Sequence, residues 1–195
     1  MADGNTPIPI PIPSPTPTPT PSSTIDTIPV AFTPPGGWTE WPPPVLAGCR
    51  QPRPDGAPDL DGYWRTIEVM VDGEVAPGHP ALGHVQRIEQ RGDRVVVTGG
   101  HIIHDMRCDG TLERGVHDVA EFDRTTEIHV VAAYEDGVHV LRPQAIDIDG
   151  DPIEVRRRRD GEHLIWDYLG FTARLEHLAP SDTDPADIGA LHTDG

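Results

Sequence analysis

The chain has 195 residues, and its 32 acidic side chains against 15 basic ones give a net charge of −17. That balance excludes the strongly basic surface of general nucleic-acid binding, which works by neutralising phosphates. No apolar run reaches the roughly 20 residues of a membrane-spanning helix, so insertion into a membrane by a helix is excluded as well.

Residues 1–58 are predicted to form a proline-rich arm that is partly disordered, since 17 of the 23 prolines lie there. The run PIPIPIPSPTPTPTP lacks the amide donors of a helix or ladder and favours an extended polyproline II segment. Such a segment is typical of a spacer, and a ligand for a proline-recognising partner is the alternative. We expect Phe32, Trp38 and Trp41 to pack on the following domain, because large aromatic side chains are costly to expose.

Residues 59–178 are predicted to form one domain of antiparallel hairpins. Asp-Gly turn signals alternate with runs rich in Val, Ile and aromatic residues, such as RVVVT and TEIHVVAAY. Gly99-Gly100 and Gly170 are placed to divide the two longest strands, which would raise the number of strands from eight to ten. The eight strands are expected at about 62–71, 84–91, 94–108, 115–122, 126–134, 138–148, 152–159 and 162–178.

Eight to ten sequential strands favour an all-β fold, an antiparallel up-and-down β-barrel that removes exposed edges. A two-sheet sandwich is the alternative. The remaining residues, 179–195, are predicted to be an acidic disordered tail. The start MADGNTPIPI does not have the pattern of a secretory signal, so we expect a cytoplasmic protein. Cys49 and Cys108 are then expected to be reduced thiols, with a disulfide as the alternative.

The segment DLDGYWRTIEV resembles the start of the calycin barrels, the lipocalins and fatty-acid-binding proteins. Those families carry a Gly-x-Trp motif on the first strand, which Gly62 and Trp64 match here. The resemblance covers residues 59–178. It implies a barrel with an apolar ligand cavity and does not identify the ligand.

Hairpin pairing predicts which side chains line that cavity. A two-residue loop at Asp160-Gly161 pairs Arg159 with Glu162, and alternate residues then share one face. The ligand-binding candidates are Arg157, Trp166 and Tyr168 on that face, Trp64 on the first strand and, if Gly170 keeps the register, Arg174. A buried guanidinium needs an anionic partner or several acceptors, and the resemblance to fatty-acid-type barrels implies a ligand carboxylate. An ion pair with Glu162 or another acid at the barrel mouth is the alternative.

Three histidines form a second candidate site. A two-residue loop at Gly92-Asp93 predicts that His84 lies opposite His101, with His104 three residues further on. Imidazoles in this arrangement suit an acid–base pair or a metal or haem site. His101 and His104 point to opposite faces of a regular strand, so we predict no metal and no cofactor. Surface histidines without a ligand role are the alternative.

These patterns predict a barrel that binds a small apolar or amphipathic molecule, including one that bears a carboxylate. The alternative is an enzyme on the same barrel, of the cyclase, isomerase or dehydratase type, with His, Arg and Tyr as acid–base groups. A display module tethered by the arm is a third interpretation. A fold does not by itself decide among them. The expected partner is a small molecule, not nucleic acid or a membrane interior, and the oligomeric state is not predicted.

Overall fold

The computed structural model describes residues 23–121, 124–143, 147–148, 151–152 and 154–189. The proline-rich run at 7–21 and the end of the tail, 190–195, lie outside the described residues. Within them the chain forms β-strands and one short 3-10 helix, Pro185–Asp187. In chain order the strands are β1 (Gly62–Val71), β2 (Glu74–Val75), β3 (Val85–Arg91), β4 (Arg94–Gly99), β5 (Ile102–Arg107), β6 (Val116–Val119), β7 (Glu127–Glu135), β8 (Val138–Pro143), β9 (Asp147–Ile148), β10 (Asp151–Pro152), β11 (Val155–Asp160), β12 (His163–Tyr168) and β13 (Phe171–Ala179).

Ten of these strands form one antiparallel sheet that curves into a nearly closed barrel. Along the sheet the order is β5, β4, β3, β1, β13, β12, β11, β8, β7, β6, and β2 pairs with β1. The short strands β9 and β10 pair with each other in a separate sheet. Neighbours in the barrel follow each other along the chain, and β1 pairs with β13, which is the up-and-down order. The predicted all-β barrel is therefore confirmed, and the sandwich alternative is wrong.

The strands β5 and β6 are the two edges of the sheet. They do not pair as strands, but two contacts join them. The ring nitrogen Nε2 of His104 lies 2.8 Å from the carbonyl oxygen of Val119. At the other end of the gap, the amide of Arg107 donates to the carbonyl of Arg114 at 2.7 Å. These bonds leave little open edge between β5 and β6.

Glycine turns divide the two long predicted strands. Between β4 and β5, Gly100 and His101 form a two-residue turn with φ of 56° and 71°. These are left-handed values that glycine adopts at little cost and histidine rarely does. A second two-residue turn at Leu169-Gly170 separates β12 from β13. The barrel therefore has ten strands, the upper limit of the predicted eight to ten.

The predicted register is right in one hairpin and wrong in another. Arg91 pairs with Arg94 across Gly92-Asp93, as the sequence predicts. In the β11–β12 hairpin, however, Asp160 pairs with His163, so the predicted pairing of Arg159 with Glu162 is wrong. The turn uses Gly161 and Glu162 instead, which moves the pairing by two positions. Because side chains alternate with a period of two, this shift leaves every residue on its predicted face.

The prediction that Arg174 shares the interior face is wrong. Tyr168 pairs with Phe171, and Trp166 pairs with Ala173, so odd-numbered residues of β13 continue the interior face of β12. Ala173 is fully buried, whereas Arg174 is exposed and its Nη2 lies 3.1 Å from Nδ1 of His163. Even-numbered residues of β12 face the interior, but after the two-residue turn at Leu169-Gly170 the odd-numbered residues of β13 do so.

Most of the side chains that line the barrel interior belong to one apolar cluster. Its members are Leu60, Trp64, Val69, Ala81, Ile88, Val95, Val97, Met106, Cys108, Val116, Val130, Ala132, Leu141, Val155, Leu164, Trp166, Ala173 and Leu175. Along each strand, these residues alternate with residues of the outer face, as a sheet with one face on the core requires. Cys49 and Cys108 are both buried free thiols.

The described part of the arm covers the outer face of β3, β4 and β5. Ile25, Leu46 and Cys49 are buried there. Two buried arginines of the barrel bind the arm through its carbonyl oxygens. Arg94 donates to Ile25, Ile28 and Pro29 at 2.7–2.8 Å, and Arg87 donates to Pro42 and Pro43 at 2.8 and 3.2 Å.

The C-terminal segment also lies on the outside of the barrel. Ile188 is buried in a small cluster with Tyr63 and Val85, and the phenol of Tyr63 donates to the carbonyl of Thr183 at 3.2 Å. Residues 180–189 therefore pack on the outside of the barrel, which their acidic composition does not predict. No helix within the described residues has the length and apolar character of a membrane span.

We expect the segment 23–30 to contribute to stability through Arg94. A chain beginning at Ala31 lacks the three carbonyls that accept from Arg94 and leaves part of a buried guanidinium without acceptors. The free energy of unfolding should fall by about 2–4 kcal/mol relative to a chain beginning at Ser23. Urea denaturation of both chains measures the difference. Equal midpoints would show that the arm–Arg94 contacts contribute nothing.

Candidate functional site

One end of the barrel interior is polar. We call this the upper end; β3 begins there, and β4, β6 and β12 end there. Six side chains with nitrogen or oxygen atoms form a series of interactions that begins at this end with His84 and Glu121 and reaches His139, which pairs with Arg157 on the neighbouring strand. This polar cluster consists of His84, Gln86, His104, Glu121, His139 and Arg157. Five of the six are below 10% exposed as whole residues, and the side chain of His84 is 13% exposed.

Arg157 is the cation of the polar cluster. It lies on β11 with 2% of its surface exposed, and its Nε donates to Oε1 of Gln86 at 3.1 Å. Its guanidinium carbon lies 5.5 Å from the ring centroid of Trp166, within the range of a cation–π contact. Burial lowers the pKa of Arg157, and the charge of Glu121 opposes that effect. Nη1 of Arg157 has no hydrogen-bond partner among the described residues.

Other buried polar atoms near Arg157 also lack partners within the described residues. They are Nε2 of Gln86 and both ring nitrogens of His139. His139 pairs with Arg157 across β8 and β11, and both Gln86 and His139 are 0% exposed. Burying a polar group without a hydrogen bond typically costs 1–3 kcal/mol. Within the described residues, these unpaired groups leave hydrogen-bonding capacity beside the guanidinium.

His139 is held neutral in this environment. Burial, with a contribution from the charge of Arg157, lowers its pKa from the usual 6.5 to about 3. A neutral imidazole carries one donor and one acceptor nitrogen. His139 therefore offers a hydrogen bond of either kind beside the positive charge of Arg157.

Glu121 supplies the negative charge of the polar cluster. Burial acts to raise the pKa of Glu121, but a hydrogen bond from His84 and the nearby charges of His84, Arg157 and His104 outweigh it, so the pKa lies below its usual value. Oε1 of Glu121 lies 3.0 Å from Nε2 of His84. The carboxylate is thus ionised at neutral pH and bonds to the imidazole of His84 rather than to Arg157.

His84 connects the polar cluster with the outside. It lines a groove of about 820 Å³ on the outer face, between arm residues 38–47 and residues 182–186. We call this the outer groove. Gly99 and Gly100 also line it, and a Cβ on Gly99 would lie 3.2 Å from Nε2 of His84. The missing side chains at these glycines leave His84 accessible from the groove.

The three predicted histidines do not form one site. β3 begins at Val85 and β4 ends at Gly99. His84 and His101 therefore lie outside the paired strands, and their predicted pairing is wrong. His101 is exposed in the β4–β5 turn, where its Nδ1 lies 2.7 Å from the carbonyl oxygen of Trp38. His104 points inward from β5 and belongs to the polar cluster. Of the predicted three, the structure brings His84 and His104 together around Glu121.

The predicted aromatic residues divide into two groups. Trp166 and Tyr168 lie beside Arg157, with ring centroids 5.1 Å apart, and burial raises the pKa of Tyr168 to about 12. Trp64 is fully buried in the apolar cluster. Its indole nitrogen donates to the carbonyl of Leu60 at 2.8 Å, so Trp64 belongs to the structural core.

Sequence reasoning missed Gln86, Glu121 and His139. The signal for His139 is the Asp136-Gly137 turn, which pairs Glu135 with Val138 and sets His139 on the interior face. For Glu121 there is no such signal, because it follows β6 in a turn, where alternation gives no information. Its position depends on how the chain leaves β6 at the upper end.

No group of three or more His, Cys, Asp or Glu side chains within the described ranges is arranged to hold a metal ion. Comparison of the chain with protein-family models, with curated proteins and with solved structures found no match. The fold and the polar cluster are therefore the basis of any functional conclusion, and the class of protein they define is an up-and-down barrel with a buried polar end.

We expect the neutral state of His139 to make the protein sensitive to mild acid. The unfolded chain binds a proton at His139 below about pH 6.5, whereas the folded chain does so only near the pKa of about 3. The free energy of unfolding therefore falls as the pH drops through this window. Between pH 7 and pH 5 the parent should lose about 2 kcal/mol more than His139→Leu. Urea denaturation across this range measures both slopes, and parallel slopes would contradict the assignment.

Proposed function

We propose that the barrel binds a small amphipathic molecule and that the carboxylate of this molecule, or an equivalent anionic group, lies against Arg157. The observation that carries the proposal is that, among the described residues, a buried guanidinium has an incomplete set of partners. Arg157 bonds to the neutral amide of Gln86, while Glu121, the carboxylate whose charge acts on Arg157, bonds to His84. An anionic group of a ligand would complete the coordination of Nη1.

The neighbours of Arg157 define the chemistry of this ligand. Nε2 of Gln86 and the ring of His139 offer further hydrogen bonds, which suit a carboxylate with two oxygens. Trp166 and Tyr168 provide apolar and aromatic surface beside the charge. Such a site favours a molecule with one anionic end and an apolar body.

An up-and-down barrel with an arginine in its interior supports a carrier of the calycin type, as the Gly62-x-Trp64 motif led us to expect. The acidity of the chain favours a small molecule over nucleic acid as the partner. The free thiols of Cys49 and Cys108 support a reducing compartment, and we propose a cytoplasmic location on that ground.

The test replaces Arg157 and its two outward-facing neighbours. Arg157→Leu should keep the fold and weaken binding of a fluorescent fatty-acid-like probe about tenfold or more, because it removes a charge-assisted hydrogen bond of about 1.5–3 kcal/mol. An uncharged ester of the probe should bind parent and variant equally. Displacement titration measures both probes.

Arg156→Gln and Arg158→Gln are the matched controls, since both side chains are exposed on the same strand. They should bind the probe as the parent does. Equal loss in all three variants, or no binding of the anionic probe by the parent, would remove the proposal.

A further inference from the structure

We infer that His117 and His129 form a binding site for one divalent transition-metal ion of the Ni²⁺, Cu²⁺ or Zn²⁺ type. Imidazole nitrogen is a ligand that these ions share. The site lies on the outer face of the barrel and does not depend on the ligand proposed at Arg157. A bound ion links β6, an edge strand of the sheet, to its neighbour β7.

The register of two strands brings the two histidines together. His117 on β6 is the direct partner of His129 on β7, and the neighbouring pair along these strands is Val116 with Val130. Both valines belong to the apolar cluster of the barrel interior, so alternation along each strand places both histidines on the outer face. Both histidines are exposed there, and a metal ion can reach them from solvent.

The separation of the two rings suits one shared ion. The ring centroids of His117 and His129 lie 4.8 Å apart, with 55° between the ring planes. With metal–nitrogen bonds of about 2.0–2.1 Å and angles of about 90–110° at the metal, two imidazoles on one ion have centroids roughly 4.5–5.3 Å apart. The observed separation falls within this range, so the strand pairing already holds the rings at the spacing that coordination requires.

The hydrogen bond of His117 leaves its other ring nitrogen for the ion. Nε2 of His117 lies 2.7 Å from the carbonyl oxygen of Leu112, and because a carbonyl only accepts, Nε2 carries a proton. Nδ1 is then the ligand atom, and a metal ion displaces any proton bound to it. A backbone carbonyl on the second ring nitrogen is a common support of metal-binding histidines. His129 has no hydrogen bond to a described residue, so it can present either ring nitrogen.

The charge around the pair favours a cation. Glu127 is on the same face of β7 as His129, two residues before it, which places it diagonally opposite His117. Arg114 lines the same pocket as His117, and its guanidinium pairs with Asp109 at 3.1 Å. The net charge of −17 also raises the concentration of cations near the surface.

Two protein ligands define an open metal site. No third His, Cys, Asp or Glu among the described residues joins the pair, so water molecules take the remaining coordination positions. The affinity depends on both imidazoles, because an ion held by one ring meets the second ring at a high effective concentration. Removal of either histidine should therefore remove most of the affinity.

Isothermal titration calorimetry with Ni²⁺ tests the site on the full chain. The parent protein should bind one Ni²⁺ per molecule in its tightest step. His117→Gln and His129→Gln should each weaken this step about tenfold or more. The double variant should lose little beyond either single change, because the two rings act as one unit. Both residues are exposed, so the fold should be unchanged, and circular dichroism verifies it.

His101→Gln is the matched control, because His101 is equally exposed but lies in the β4–β5 turn. It should bind Ni²⁺ as the parent does. Parental affinity in either His117→Gln or His129→Gln would overturn the inference. Independent losses that add up in the double variant would show two separate surface histidines and overturn it as well.

Electron paramagnetic resonance of the protein with one equivalent of Cu²⁺ gives a second readout. The parent should show the hyperfine splitting of two coordinated imidazole nitrogens, and each single variant that of one. A parent spectrum with only one nitrogen would contradict a shared ion. Arg157→Leu should bind both metals as the parent does, so failure of the metal site and failure of the proposed function are distinguishable.

Discussion

Buried arginines require acceptors for the donors of each guanidinium, because an unpaired charge in the protein interior is costly. Three arginines of the barrel, Arg87, Arg94 and Arg157, are at most 2% exposed. Arg94 forms an ion pair with Asp105 at 2.6 Å and donates to carbonyls of the arm. Arg87 lies 3.2 Å from Glu89 and also donates to the arm. Arg157, which lies inside the barrel, donates a hydrogen bond to Gln86 and packs against the ring of Trp166. Within the described residues, Arg87 and Arg94 each have a carboxylate at ion-pair distance and Arg157 has none, and this difference is the basis of the proposed ligand.

The same requirement explains why a proline-rich segment suits the outer face of β3–β5. Proline has a carbonyl acceptor but no amide donor. A proline-rich segment therefore offers acceptors without adding donors that need partners. Pro29, Pro42 and Pro43 use their carbonyls in this way. The amide of Leu46 is satisfied by Glu89 at 2.6 Å, and burial raises the pKa of Glu89. The arm therefore completes a polar outer face and forms one wall of the outer groove beside His84.

The sequence predicts the face of the sheet on which a residue lies better than it predicts which residues are in contact. Arg157 lies on its predicted face because the register error in its hairpin is an even number of residues, whereas Arg174 is misplaced because the Leu169-Gly170 turn changes parity. His139 was within reach of the same reasoning through the Asp136-Gly137 turn. Glu121 was not, since it lies in a turn beyond the end of β6. Local patterns fix alternation along a strand, but the closure of the barrel brings together residues from turns that no local pattern relates.

Native mass spectrometry of freshly purified protein tests the central claim most directly, namely that Arg157 is buried in order to hold an anionic molecule. The account predicts a bound small molecule on the parent protein, or uptake of an added long-chain carboxylate in a ratio of one to one. It also predicts that Arg157→Leu carries and takes up none, whereas Arg158→Gln behaves as the parent does. A folded parent protein that is bare and takes up no carboxylate, or equal occupancy in parent and Arg157→Leu, would contradict the account.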